Sequence, residues 1–176
     1  MSGSPEGEER VHYMRLALGE AAKCEPIPTA FCVGCVITVP TLGSDGNITQ
    51  KILSTGYSRE LTGNTHAEAN ALAKAHALAG TEKLRKAFGD GAEPSTLLRS
   101  ADVYTTLEPC SVRLSGLAPC ADALVVAGIR NCIIGVKEPV DFVQCEGTKK
   151  LQDAGINVVW LDDLEPECLT MARRGH

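Results

Sequence analysis

Aromatic side chains are scarce in this chain: three Phe, three Tyr and one Trp among 176 residues, 4% in all. Hydrophobic residues still make up 44%, so the core must be built from aliphatic and small side chains. Excess positive charge is missing too. Seventeen Lys and Arg stand against 22 Asp and Glu, a formal net charge of -5. That argues against a broad nucleic-acid footprint, which needs clustered cations. One phosphate on a small ligand needs only a few local donors and stays open. No run approaches the roughly 20 apolar residues of a membrane helix, and the acidic residues 1–9 lack the apolar segment of a signal peptide. The expectation is a cytoplasmic protein with neither membrane nor nucleic-acid partners. Eight cysteines suit a disulfide framework only in short secreted chains. Most lie in apolar runs, as Cys132 does in Asn131-Cys132-Ile133-Ile134, and read as reduced core thiols.

Residues 11–23 carry apolar side chains at helical spacing until Pro26 and Pro28 end the helix. Residues 31–39 are apolar on both faces, the pattern of a buried strand. The turn Gly43-Ser44-Asp45-Gly46-Asn47 returns residues 48–58 as a hairpin partner. Residues 66–79 predict a helix capped by Asn64 or Thr65. A short helix is expected over 82–88, then a loop through Pro94. Strands over 101–107, 131–136 and 156–161 alternate with helices over 119–127 and 146–154, and Asp162-Asp163 could cap a last helix to about residue 173. Such alternation requires parallel strands covered on both faces. The fold class expected is α/β: a three-layer α/β/α sandwich on an about five-stranded mixed sheet. It occupies one domain over residues 11–176, after a flexible acidic start over 1–10.

Two stretches carry chemistry. Thr65-His66-Ala67-Glu68 opens a predicted helix, and Leu107-Glu108-Pro109-Cys110 follows a predicted strand, with Cys120 ten residues on. One imidazole and two thiols suit tetrahedral zinc with an open position, and a free carboxylate beside it can shuttle protons. Residues i and i+2 face different sides of a helix, so His66 is assigned to the metal and Glu68 to a water beside it. H-x-E with paired cysteines marks zinc deaminases acting on nucleobases, though there the cysteines usually lie three apart. Cys32-Val33-Gly34-Cys35 is a metal-like decoy: along a strand its thiols would face opposite sides, roughly 10 Å apart. Glu108 is open to two roles, catalytic acid or holder of backbone donors beside the metal, and the second is preferred. His12, His76 and His176 have no partners at metal spacing. Arg113 and Ser115 lie between the two cysteines and so near any substrate.

Over about residues 11–161 the chain resembles the cytidine-deaminase-like superfamily, and within it the pyrimidine deaminases of riboflavin biosynthesis. The resemblance is carried by Val33-Gly34-Cys35-Val36-Ile37, His66-Ala67-Glu68-Ala69-Asn70-Ala71-Leu72, Thr106-Leu107-Glu108-Pro109-Cys110-Ser111 and Pro119-Cys120-Ala121-Asp122-Ala123-Leu124. Gly56-Tyr57-Ser58-Arg59-Glu60-Leu61, Gly63-Asn64-Thr65-His66 and Arg113-Leu114-Ser115-Gly116 are similar to the fungal enzymes. The resemblance implies hydrolytic deamination of 2,5-diamino-6-ribitylamino-4(3H)-pyrimidinone 5'-phosphate at C2. It implies Zn²⁺ on His66, Cys110 and Cys120, with Glu68 as the proton carrier. It further places Asn64 and Thr65 at the ring or tail and Arg113 and Ser115 at the tail or phosphate, in a homodimer. Bacterial relatives commonly continue into a reductase domain, so reduction is expected to be done elsewhere. Two rival readings stand beside this one. A tRNA adenosine or nucleoside deaminase predicts a basic groove; a non-catalytic, zinc-stabilised partner subunit has no use for a free carboxylate.

Overall fold

A computed structural model describes residues 4–113, 116–139 and 146–175. Its first helix, α1 (Pro5–Ala21), starts six residues ahead of the apolar periodicity. Ser4 caps it, Oγ accepting the Gly7 N–H at 3.1 Å, and Pro5 sits in the first turn with Glu6 and Glu8. Residues 5–10, expected as part of a flexible start, are therefore helical. Negative charge and Pro read as a tail, yet both are favoured in the first turn of a helix.

Strand β1 (Gly34–Leu42) pairs with β2 (Ile48–Tyr57) through the expected turn. β1 begins three residues late because the donors ahead of it bond elsewhere. Cys32 N–H reaches Ala172 O and Val33 N–H reaches Ser58 Oγ, both at 3.0 Å. Then come α2 (Ala67–His76), α3 (Glu82–Phe88) and a short α4 (Pro94–Leu98) where a loop was expected. Pro94 reads as a breaker, but in the first turn it lacks only a donor that would have no helical partner. β3 (Asp102–Thr105), α5 (Cys120–Ala127), β4 (Asn131–Ile134), α6 (Gly147–Asp153), β5 (Asn157–Trp160) and α7 (Glu165–Ala172) complete the described chain. Asp162 and Asp163 form a 3-10 turn instead of capping α7, whose N-cap is Leu164.

The five-stranded mixed sheet has the order β2-β1-β3-β4-β5. β1 is antiparallel to both neighbours, whereas β3, β4 and β5 run parallel. Cys35 pairs with Gly56, so the adjacent Gly34 faces the other side. Those two glycines receive α2 and α1 on opposite faces. A Cβ on Gly56 would lie 2.3 Å from Ala67 O and 2.6 Å from Ala71 N; one on Gly34 would lie 1.9 Å from Ala17 O. Ala67, Ala71 and Ala75 are fully buried along α2. Here the scarcity of aromatics becomes architecture: helices rest almost on the strand backbone.

Gly56→Ala is therefore expected to lower the thermal midpoint, since overpacking of this kind costs about 1–3 kcal/mol. Gly19→Ala is the control, lying inside α1 with nothing within 4 Å of a new Cβ. It should stabilise by about 0.5–1 kcal/mol through helix propensity. Circular-dichroism melts of both decide the matter; an unchanged midpoint for Gly56→Ala would mean that α2 does not rest on β2.

Candidate metal centre and active site

The site gathers where α2 and α5 begin. His66 is the N-cap of α2, with extended backbone (φ -96°, ψ 156°). The expected capping by Asn64 or Thr65 is not made. The Thr65 hydroxyl instead donates to Leu61 O at 3.1 Å and accepts from Asn70 Nδ2 at 3.0 Å. Asn70, buried in the first turns of α2, also donates to Tyr57 O at 2.8 Å and so holds the approach to His66. His66 thus lies outside the helical twist that sets positions i and i+2 apart, and it and Glu68 line one cavity.

Cys120 opens α5, and the first donors of that helix hold the other thiol in place. Cys120 N–H donates to Cys110 Sγ at 3.3 Å, and Ala121 N–H donates to Cys110 O at 3.1 Å. The loop between the cysteines is thereby closed by otherwise unpaired helix-end N–H groups. His66 Nδ1 lies 3.5 Å from Cys110 Sγ and 3.4 Å from Cys120 Sγ. All three donor atoms fall within 4.8 Å of one another. Zinc bonds of about 2.3 Å to sulfur and 2.0–2.1 Å to nitrogen, set tetrahedrally, put such donors roughly 3.6 Å apart. Three donors of this chemistry and spacing fit zinc and leave a fourth position open. Among the described residues no other group of three potential ligands comes together.

Hydrogen bonding between the donors shifts all three. The Cys110 thiol is pulled down to about 4 by the hydrogen bond from Cys120, and further by His66 and the Cys120 N–H, against the effect of burial. Cys120 is shifted up by the same shared bond and by burial. His66 is shifted up, mainly by its bond to Cys110. Glu68, only 4% exposed, is shifted up by burial and by the Cys110 charge.

Thr105, at the end of β3, was not singled out by the sequence. Its Oγ1 lies 3.1 Å from Glu68 Oε1 and 3.0 Å from Leu107 O. With one proton it serves one of them at a time, and it fixes the carboxylate from below. The available signal was a pair of hydroxyls, Thr105-Thr106, between the apolar Val103-Tyr104 and the Leu107-Glu108-Pro109-Cys110 stretch. Glu108 Oε1 accepts from Thr148 N at 3.0 Å and Thr148 Oγ1 at 2.7 Å, tying this loop to α6. Cys35 is fully buried in β1, but Cys32 precedes that strand rather than lying on it.

A cavity of about 280 Å³ contains His66, Glu68 and Cys110, walled by Phe31, Arg59, Asn64, Arg113 and others. Arg113 Nη2 donates to Asn64 O at 2.6 Å, joining the inter-cysteine loop to the approach to α2. Ser115 and His176 lie outside the described residues.

Sheet order and convergent donors define the class first: an α/β fold on a five-stranded mixed sheet, with a His/Cys/Cys cluster able to hold a metal beside a buried carboxylate. The chain belongs to the family described as the cytidine and deoxycytidylate deaminase zinc-binding region, which it matches over residues 8–136. Within that family it is 43% identical over 164 residues to the diaminohydroxyphosphoribosylamino-pyrimidine deaminase of Schizosaccharomyces pombe. The alignment covers 93% of this chain and 35% of that protein. The riboflavin biosynthesis protein RibD of Aquifex aeolicus is 33% identical, over 84% of this chain and 33% of that protein. The chain thus spans about a third of the length of these curated relatives. Among solved structures, a C-terminal deletion mutant of Aspergillus oryzae Rib2 deaminase superposes with a TM-score of 0.76 at 34% identity. It covers 95% of this chain and 92% of that one. The same Rib2 deaminase in complex with DARIPP gives the same TM-score and identity, covering 95% and 91%.

Proposed function

We propose that the chain, with residues 11–176 as the catalytic unit, deaminates 2,5-diamino-6-ribitylamino-4(3H)-pyrimidinone 5'-phosphate at C2. The products are 5-amino-6-ribitylamino-2,4-pyrimidinedione 5'-phosphate and ammonia. The observation that carries the chemistry is a buried carboxylate, Glu68, lining one cavity with His66 and Cys110. The substrate class is supported by the 43% identical fission-yeast deaminase and by the Rib2 structure with DARIPP. A net charge of -5 weighs against a tRNA substrate.

His66 Nδ1 and the thiolates of Cys110 and Cys120 would hold zinc, which would supply a Lewis acid able to lower the pKa of water towards neutrality. Glu68 takes the first proton of the attacking water and delivers it to the ring nitrogen. It then carries the second to the exocyclic amine, which leaves as ammonia while C2 becomes a carbonyl. Thr105 keeps the carboxylate aimed during both transfers. Asn64 and Thr65 border the ring or tail, and Arg113 with Ser115 takes the tail or phosphate; an Arg fork suits phosphate geometry. A homodimer in the cytoplasm completes the reading. It is supported by an apolar groove lined by Leu72, Leu98, Ala123 and Val126, with Val126 88% exposed, and by seven free cysteines among the described residues. Sedimentation mass tests the assembly. Among the described residues no helix is long and apolar enough to cross a membrane.

The deciding experiment offers purified protein the ribityl and ribosyl diaminopyrimidinone phosphates and a tRNA anticodon stem, and measures ammonia. Release from the ribityl compound is expected to dominate. Preference for the tRNA stem, or no release from either pyrimidine, would end this reading.

A further inference from the structure

Arg59 is the one non-glycine residue with positive φ among the described residues, at 62°. Left-handed backbone is unfavourable for any residue with a Cβ, so surrounding contacts must hold it there. Its own N–H donates to Thr65 O at 2.7 Å, beside His66. The guanidinium points the other way. Nη1 donates to Phe31 O at 3.2 Å and Nη2 to Glu25 O at 2.8 Å, with Cys24 Sγ 2.7 Å and Cys32 Sγ 3.8 Å from Nη2. Among the described residues no carboxylate forms an ion pair with Arg59. Backbone carbonyls and sulfur take the place of a counter-ion.

Every acceptor of that guanidinium lies in residues 24–32. This segment contains Pro26 and Pro28 and has no helix or strand, only an isolated bridge between Ile27 and Ala30. The chain just ahead of it and its far end are tied towards α7: Arg174 Nη1 donates to Ala22 O at 2.9 Å, and Cys32 N–H donates to Ala172 O at 3.0 Å. On the other side it meets the site, where Thr29, Ala30 and Phe31 line the cavity with His66 and Glu68. Arg59 is what joins those two sides.

We propose that Arg59 is a positioning residue that sets substrate affinity, its guanidinium fixing Thr29–Phe31 as one wall of the cavity that His66, Glu68 and Cys110 also line. The inference rests on the deaminase reading of that cavity. Arg59 does not touch Cys110, Cys120 or Glu68 through any hydrogen bond in the structure, so the chemical step on bound substrate should survive its loss. Binding should not. Arg suits the task because a planar fork serves two carbonyls at once, whereas the point charge of lysine cannot.

Arg59→Gly isolates the guanidinium, since glycine accepts the positive φ and keeps the N–H to Thr65. With the full chain carrying zinc, KM is expected to rise about tenfold or more while kcat stays within roughly threefold. Arg59→Lys should not restore KM. Cys24 and Cys32, 2% and 1% exposed, should become labelled by iodoacetamide much faster in Arg59→Gly than in wild type, read by mass spectrometry. An unchanged KM, or a fall in kcat with KM intact, overturns the proposal. If wild type releases no ammonia from the pyrimidine phosphate, it is the deaminase reading that has failed. Thiol labelling then decides alone, and wild-type protection in Arg59→Gly refutes the clamp. Should Arg59→Gly lose its far-UV spectrum, Arg59→Lys carries the same test, a normal KM being the refuting result.

Discussion

Glu68→Gln is expected to reduce ammonia release by about 10³-fold, the scale of a positioned general acid–base, with one zinc per chain retained. Glutamine keeps the shape of the side chain and an oxygen for the Thr105 hydroxyl, but it cannot accept and return a proton. Because Glu68 is buried and its carboxyl is shifted up by desolvation, it is a group the fold holds at a cost. The variant should therefore melt no lower than wild type, and KM should change little. Zinc by atomic absorption, a thermal melt and steady-state ammonia release together test this. Turnover within tenfold of wild type would remove Glu68 from the mechanism and reopen the non-catalytic reading.

Cys110→Ala acts on the other half of the site. It removes one of three donors, and with it the acceptor that holds the Cys120 N–H at the start of α5. Zinc content after dialysis is expected to fall below about a tenth of an ion per chain, taking activity with it, because binding is cooperative among the donors. A ligand bound only by the folded state stabilises it by about 4 kcal/mol at a thousand times its dissociation constant. Added zinc should therefore raise the wild-type melting temperature and leave that of Cys110→Ala unmoved. Cys32→Ala is the matching control: its thiol contacts Arg59 Nη2 at 3.8 Å and stands apart from the donor cluster, so zinc content should stay at wild-type level. Full zinc content in Cys110→Ala would overturn the ligand assignment.

Much of the fold was legible because its signals are local. The aliphatic runs of β1 and β4, the turn at residues 43–47 and the left-handed Gly128 that ends α5 each follow from neighbouring residues. Misses fell where a distant partner decided the outcome. The apolar run at Phe31 does not become strand, since Cys32 and Val33 bond to Ala172 and to Ser58 instead. Residues 5–10 and Pro94 differ from expectation for another reason: acidic residues and proline mark both tails and helix starts. Ser4 caps α1, whereas α4 starts at Glu93 with no side-chain cap.

For the site, residue type and spacing were enough to propose one imidazole, two thiols and a carboxylate, His66, Cys110, Cys120 and Glu68, as the reacting set. Ligand preference is a property of the side chain, so such a proposal needs no fold. Only the tertiary structure decided how those groups meet. It made His66 an N-cap, turned Nδ1 towards thiols 44 and 54 residues away, and set Thr105 under a carboxylate 37 residues before it. It also gave Arg59 a strained backbone and acceptors 27 to 35 residues earlier in the chain. Such pairings leave no local pattern, since each joins residues far apart in sequence that only chain packing brings within hydrogen-bond distance.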